Sequence, residues 1–533
     1  VAVAKENKTN LQETEFTEEQ LNYVYENRRY VGRKETIGFI MWDAAQSFNI
    51  NLYSGRFITN VVGVDLGLQA ILGVINGVWD VVNDIFFGTI VDKTRTRWGK
   101  FRPYLLALAI PGFILTCLYW LMPLMFEGRS DVDMTKFIFY CLLTIIREGV
   151  GTFQGIARTG LMSTITPHPV DRTRLITLAN FASGTFGEKL PEQITTVILD
   201  LIDNNKIGKT KTKASMYRTT FVGMGLFTTL VSSLMSFWFF FISKERVIQS
   251  IESPSVMDGV RSILNNKPML LVTLSEFLGG FSIGGSKSDY YIDVLHFASM
   301  TMIAGIPAAP ISPVSYSYVP WLRRKYSTRS LYIVAKYIDP ILKTGVFLFG
   351  IIGMNWKTFG GISRGVKPMY QRIVPMGIAM AIWEVIWTLF LGLRTVITTE
   401  VYNECMDYCE WKNGYRTEGM TSVAKGLATK VATIGSGFIS TVFKKLVNYD
   451  TSAYMEGREQ PDKVKFYLFA MFTIVPSITG ALGIIPLFFY DLTGKKKEAM
   501  YADLLARRAE VSTAVGSGDA DALAKAAELQ RIE

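Results

Sequence analysis

The sequence predicts an all-α membrane protein with twelve transmembrane helices in two six-helix bundles. Three observations carry this. Apolar residues, 49% of the 533, fall in blocks separated by charged connectors, and about 20 apolar residues carry one helix across a bilayer. Lysine and arginine concentrate in those connectors, as they do in loops facing anionic lipid. One longer polar segment, KERVIQSIESPSVMDGVRSILNNKP, divides the blocks six and six. The boundaries read as an N-terminal tail 1–35, a first bundle 36–243, a middle loop 244–267, a second bundle 268–491 and a C-terminal tail 492–533.

The tail 1–35 is hydrophilic, mixed in charge and without a cleavable signal pattern. Span 36–60 carries Asp43, Gln46, Ser47, Asn51 and Ser54 on one helical stripe, as a helix lining an aqueous cavity does. The competing reading is inter-helix hydrogen bonding by the amides and hydroxyls. Span 65–91 places Asn76, Asp80, Asn83 and Asp84 on one face. An Asp at the bilayer centre costs about 2.5–3.5 kcal/mol on insertion scales, so two stacked acids call for a cation, a proton or a basic partner. Their hard oxygens suit sodium; the alternative is a structural salt bridge to a Lys or Arg elsewhere.

The connector that follows holds Lys93, Arg95, Arg97, Lys100 and Arg102. Span 103–126 is apolar packing. Span 136–165 contains Arg147, Glu148, Thr152, Gln154 and Arg158, with Arg147, Gln154 and Arg158 sharing a face. Either an arginine grips a substrate hydroxyl pair or carboxylate, or the arginines pair with nearby acids. Span 174–202 carries Glu188, Lys189 and Glu192, and span 219–243 is apolar. The second bundle comprises spans 268–297, 299–322, 330–354, 372–398, 419–447 and 464–491. Among its intramembrane charges are Glu276, Lys287, Asp289, Lys336, Asp339, Lys343, Glu384 and Lys430. Lys336 and Asp339 are spaced to pair with each other. Lys430 has no local acid and is placed to reach Asp80 and Asp84. The tail after Lys497 reads as soluble helix.

Basic inner connectors place both termini in the cytoplasm of a multi-pass protein of the plasma (cytoplasmic) membrane, although the outer connector 203–218 is also basic, and a bacterial source is expected. A weak repeat relates VDKTRTRWGKFRPYLL to VPWLRRKYSTRSLYI, as in transporters built from two parallel halves. The net charge of +10 lies in connectors, which points to lipid and not to nucleic acid. Four cysteines without metal spacing and two histidines make a Cys/His centre improbable. No phosphate loop, H-E-x-x-H or Ser/His/Asp set is present, so no enzyme is expected. Trp42, Trp79, Tyr290, Trp383 and Trp387 either stack on sugar faces or pack in the core and against lipid.

The segment WDVVNDIFFGTIVDKTRTRWGKFRPYLL resembles the second helix and following loop of the glycoside–pentoside–hexuronide:cation symporters, the melibiose permease type. Gly88, Asp92, Arg95 and Arg97 match the gating-loop signature of the wider major facilitator superfamily, and DYCEWKNGYRTEGMTSVAKGLATK resembles the family's eleventh-helix region. The resemblance runs over 37–495 and implies the major facilitator fold. It implies a cation site of Asp80, Asn83, Asp84, Thr152 and neighbouring Lys430, with sodium held by Asp80 and Asp84 if sodium is the coupling ion. It also implies that Asp43 accepts hydrogen bonds from a sugar. The galactoside pattern departs at Gly155, Thr159 and Ala179 or Asn180, so the sugar site is rebuilt.

The expected activity is symport of a sugar or glycoside with sodium or a proton by alternating access, with no further cofactor. Gln46, Asn51, Arg147, Gln154 and Arg158 are the remaining candidate substrate contacts. An alternative is a carrier of uronides that uses the fourth-span arginines; another is a membrane sensor that binds ligand without moving it.

Overall fold

The computed structural model describes residues 31–517 apart from 95, 167–168, 209, 247–260, 262, 359–365 and 414–417. Among the described residues there is no β-strand, and a single bridge joins Thr96 to Gly99. Helices occupy each of the twelve expected spans. Among the described residues, four cross-membrane lengths stand alone as long and apolar: Leu66–Asp84, Arg102–Met125, Lys213–Ile242 and Lys425–Leu446. Two more are bent pairs, Ile373–Leu389 with Leu391–Lys412 and Asp462–Phe472 with Ile474–Phe489.

The helix ends follow from local chemistry. Gly63, at φ 67°, ends the first span in the left-handed region that L side chains avoid. Asp65 then accepts from the Gly67 and Leu68 amides and starts Leu66–Lys93. Asp133 and Thr212 cap Met134–Thr164 and Lys213–Ile242 in the same way.

The seventh span is split into Lys267–Gly280 and Lys287–Asp293, with Gly284 and Gly285 between. The eighth is a chain of short turns from Met300 to Lys325, interrupted by prolines 307, 310, 313 and 320. Such breaks are tolerated at membrane depth where protein or a polar cavity covers the backbone. The expected Lys336–Asp339 pair does not form. Asp339 pairs with Lys343 at 2.9 Å and accepts from Trp383 Nε1 at 3.0 Å, while Lys336 donates to Ser275 Oγ at 2.9 Å. An acid four residues ahead of a lysine is the better-aligned helical pair.

The cores show how the halves meet. At the end that carries both tails, each apolar cluster draws on one half only: Phe39, Trp42, Val91 and Leu161 in one, Met269, Leu331, Leu393 and Tyr490 in the other. At the distal end the clusters are shared. Ile292, Ala298 and Tyr454 join the first-half cluster, and Leu66 joins the second-half one. The molecule is therefore joined distally and parted toward its tails.

Ions reinforce the distal join. Arg56, its side chain 1% exposed, donates to Asp293 at 2.9 and 2.8 Å and to Asp289 at 3.1 Å. Lys444 holds the other Asp289 oxygen at 2.9 Å, and Tyr449 donates to Asp293 at 2.8 Å. Asp200 accepts from the Ala298 and Ser299 amides, each at 2.7 Å, and Tyr217 stacks on Tyr454 at 4.4 Å. The contacts of Arg56, Asp200 and Tyr217 cross between the halves, while Lys444 and Tyr449 brace the same two acids from within the second half.

Between the two ends, the second and eleventh spans cross with Gly77 directly against Ile434. A β-carbon at Gly77 would overlap that side chain. Gly77→Leu is expected to lower transport at least tenfold, with membrane insertion intact, and Ile434→Ala in the same chain is expected to restore it. Vesicle uptake and surface expression of the single and double variants check both outcomes.

Candidate cation and substrate site

The acid pair of the second span is bound from the opposite half. Lys430 Nζ lies 2.7 Å from Asp80 Oδ2 and 2.5 Å from Asp84 Oδ2. The helical spacing of the two acids makes one ammonium able to span both. Asn83, 0% exposed, accepts from Thr152 Oγ1 at 2.9 Å, and its amide nitrogen is buried without a partner. Asp80, Asn83, Asp84, Thr152 and Lys430 are thus brought together. The donor set of two carboxylates, an amide and a hydroxyl fits a hard monovalent cation, and the Lys430 ammonium lies between the acids. Among the described residues no set of three Asp, Glu, His or Cys is arranged for a metal ion.

The six candidate substrate residues separate into two groups. Asp43 is fully buried and accepts from Arg158 Nε at 2.7 Å and from Ser183 Oγ at 2.7 Å. Its carboxylate is therefore covered, and the Arg158 side chain, 31% exposed, is what faces outward. Gln46, Asn51, Arg147 and Gln154 surround a cavity of about 280 Å³ inside the first half. There Gln46 donates to Ser236 at 2.6 Å, and the Arg147 guanidinium lies 4.0 Å from the Tyr119 ring centre.

A larger cavity of about 770 Å³ lies along the crossing of the second and eleventh spans, with Gln69, Asp80, Glu276, Lys425, Thr429 and Lys430 among its lining. Gln69 and Thr441 also line a smaller space of about 220 Å³ bounded by Arg56, Asp289 and Lys444. The seam cavity therefore reaches the distal ion cluster.

The aromatic candidates are packing residues. Trp42 stacks on Phe239 at 4.7 Å, Tyr290 stacks on Phe472 at 5.8 Å, and Trp79 donates to the Ile145 carbonyl at 3.1 Å. Trp383 is buried, and Trp387 carries the Arg394 guanidinium 3.7 Å from its ring centre. Of the loop signature, Gly88 and Asp92 fall in the helix Leu66–Lys93, and Arg97 is exposed beside Trp98. Arg95 lies outside the described residues.

Sequence reasoning missed Arg56, Asp293 and Lys444. A charge at Arg56, inside an apolar run, and the Asp289/Asp293 repeat of the Asp80/Asp84 spacing were the available signals. It also missed the Glu276–Lys425 pair at 3.1 Å, which joins the seventh and eleventh spans.

The profile of the MFS/sugar transport protein family matches residues 36–494. The chain belongs to that family. Membership of the MFS/sugar transport proteins makes it a multi-pass membrane transporter and not an enzyme, with its helices in the two-bundle major facilitator fold.

Relatives include an isoprimeverose transporter of Lactiplantibacillus pentosus, 23% identical over 91% of this chain and 94% of the relative. The inner membrane symporter YicJ of Escherichia coli (strain K12) is 26% identical over 86% of this chain and 92% of its own length. A glucuronide carrier protein homolog of the same organism is 22% identical over 88% and 94%. Among solved structures, a bacterial homolog of the human lysosomal transporter Spinster, inward-facing, aligns with a TM-score of 0.51 at 13% identity. It covers 89% of this chain and 97% of its own. At these identities the structural likeness speaks for the fold alone.

Proposed function

We propose that this member of the MFS/sugar transport proteins couples entry of sodium or a proton to uptake of a sugar or glycoside by alternating access. In this reading 36–243 and 268–491 are the moving halves, and both tails and the middle segment 244–267 are cytoplasmic. The observation that carries it is Lys430 of one half bound to both Asp80 and Asp84 of the other. A coupling cation that takes the acids releases Lys430, so cation binding rewrites a bond between the halves. Substrate occupies the seam cavity, whose volume lies within the roughly 300–1,000 Å³ range of small-ligand sites. From there it reaches the distal ion cluster, and by linkage substrate and cation strengthen each other's binding by one common factor.

The test is uptake into vesicles with and without a sodium or pH gradient. Uptake that rises with one gradient and collapses with its dissipation supports the reading; uptake indifferent to both overturns it. Counterflow in proteoliposomes distinguishes transport from binding without movement.

A second reading concerns the substrate. Arg158 covers Asp43 and is itself 31% exposed, so a ligand that reaches this pair meets a guanidinium where an uncovered carboxylate would otherwise stand. That arrangement favours an acidic sugar. Glucuronides are expected to inhibit uptake at least tenfold more strongly than the matching neutral glucosides, and Arg158→Gln to erase the difference. Equal competition by the two classes assigns Arg158 to structure instead.

A further inference from the structure

The candidate site leaves one intramembrane acid, Glu148, without a role. Two bonds pin its surroundings to the second span: Trp79 to the Ile145 carbonyl at 3.1 Å, and Thr152 to Asn83 at 2.9 Å. Glu148 lies between these pins, one helical turn before Thr152. Asp80, Asp84 and Lys430 are within its electrostatic reach, and Arg147 is its neighbour.

Glu148 lines the cavity inside the first half, together with polar Gln46, Asn51, Thr116, Gln154 and Ser232. Asp80 lines the seam cavity. The acids therefore line two different cavities, Glu148 the one inside the first half and Asp80 the seam. Beyond Glu148 the helix surface is open, because a β-carbon at Gly151 or Gly155 would meet nothing within 4 Å.

Two observations point to a ligand here. The Lys430 ammonium, itself a cation, lies between Asp80 and Asp84. The fully buried Asn83 amide nitrogen has no partner, and a half-turn of the amide, which leaves its shape unchanged, would present oxygen there instead.

We propose that Glu148 is a third carboxylate of the cation locus, facing the cavity inside the first half, and that it sets how tightly the coupling cation is held. This rests on the cation-coupled reading above. Removing a cation from water is costly, and each nearby carboxylate offsets part of that cost. Asp80 and Asp84 share the Lys430 ammonium, whereas Glu148 has Arg147 beside it, and the third acid adds its negative charge to the same locus.

The experiment uses the full chain in detergent and needs no sugar. Thermal unfolding is followed against sodium chloride with choline chloride as the ionic-strength control, and against pH without sodium. The wild type is expected to show saturable stabilisation by one of the two ions. Glu148→Gln should move the midpoint at least tenfold in sodium, or about one unit in pH, toward weaker binding. Arg147→Gln, which removes the neighbouring base, should move it the opposite way. If Glu148→Gln does not fold, the sign of the Arg147→Gln shift decides, together with retention of the wild-type midpoint within threefold by Glu148→Asp. Superimposed curves for wild type and Glu148→Gln overturn the inference alone. A wild type that responds to neither ion overturns it together with the cation-coupled reading.

Discussion

Asp84→Asn is expected to abolish gradient-driven accumulation while leaving the protein folded and in the membrane. The Asp84 side chain is 39% exposed and its partner Lys430 35% exposed, so the loss of this one ion pair costs modest stability. The cation, by contrast, loses one of the two carboxylates for which it competes with Lys430. A drop in cation affinity of tenfold to a hundredfold, about 1.4–2.8 kcal/mol, is the expected scale. Asp80 still binds Lys430 at 2.7 Å in the variant, so the two halves remain tied and an exchanger slow to reset is the outcome. Substrate exchange without accumulation, measured in vesicles, supports this. Accumulation at the wild-type level removes Asp84 from the coupling site.

Arg56→Gln is expected to have the largest effect on stability of any single change. It strips the shared base from Asp289 and Asp293, whose side chains are 15% and 3% exposed. Lys444 still serves Asp289, but Asp293 keeps only the Tyr449 hydroxyl. Breaking a buried pair by removing one partner costs about 3–5 kcal/mol, far more than removing both. The melting temperature should therefore fall steeply, and Asp293→Asn in the same chain should recover part of the loss. The same change opens the distal end. A cysteine placed at Thr59, buried in the wild type, should become labelled by an impermeant maleimide added from that side. Unchanged melting and unchanged labelling would remove the cluster from any part in closing the molecule.

The membrane spans were legible because burial in lipid leaves a strong compositional trace, whereas the breaks in the seventh and eighth, at Gly284, Gly285 and the prolines, were not expected, since composition alone reads each as one continuous span. Asp80, Asp84 and Lys430 were legible for a different reason: charge at membrane depth must be answered, and each lacked an answer nearby. The helical period then placed both acids on one face. The Asp43–Arg158 pair was not readable, because each residue made a plausible substrate contact alone and only the packing of the first span on the fourth shows that they satisfy each other. The same holds for Gln46 with Ser236 and for the aromatic residues, whose rings are equally suited to a sugar and to a core. Arg56 was readable in principle. Its partners lie more than 230 positions away, on the far side of the middle segment, and nothing local names them.

In the alternating-access reading, the contact of Gly77 with Ile434 is the pivot of a lever, near its middle. In a lever the two arms share one angle, so a gap at one mouth is paired with closure at the other. No messenger is needed to inform one gate of the other's position. A ligand that sits off the pivot, even by a single helical turn, exerts torque on both mouths at once, and its leverage grows with that offset. Lys430, four residues along the helix from Ile434, works close to the pivot, where small displacements meet large forces; Arg56, far along the arm, works where small forces meet large displacements. A cation therefore suits the short arm and a latch the long one.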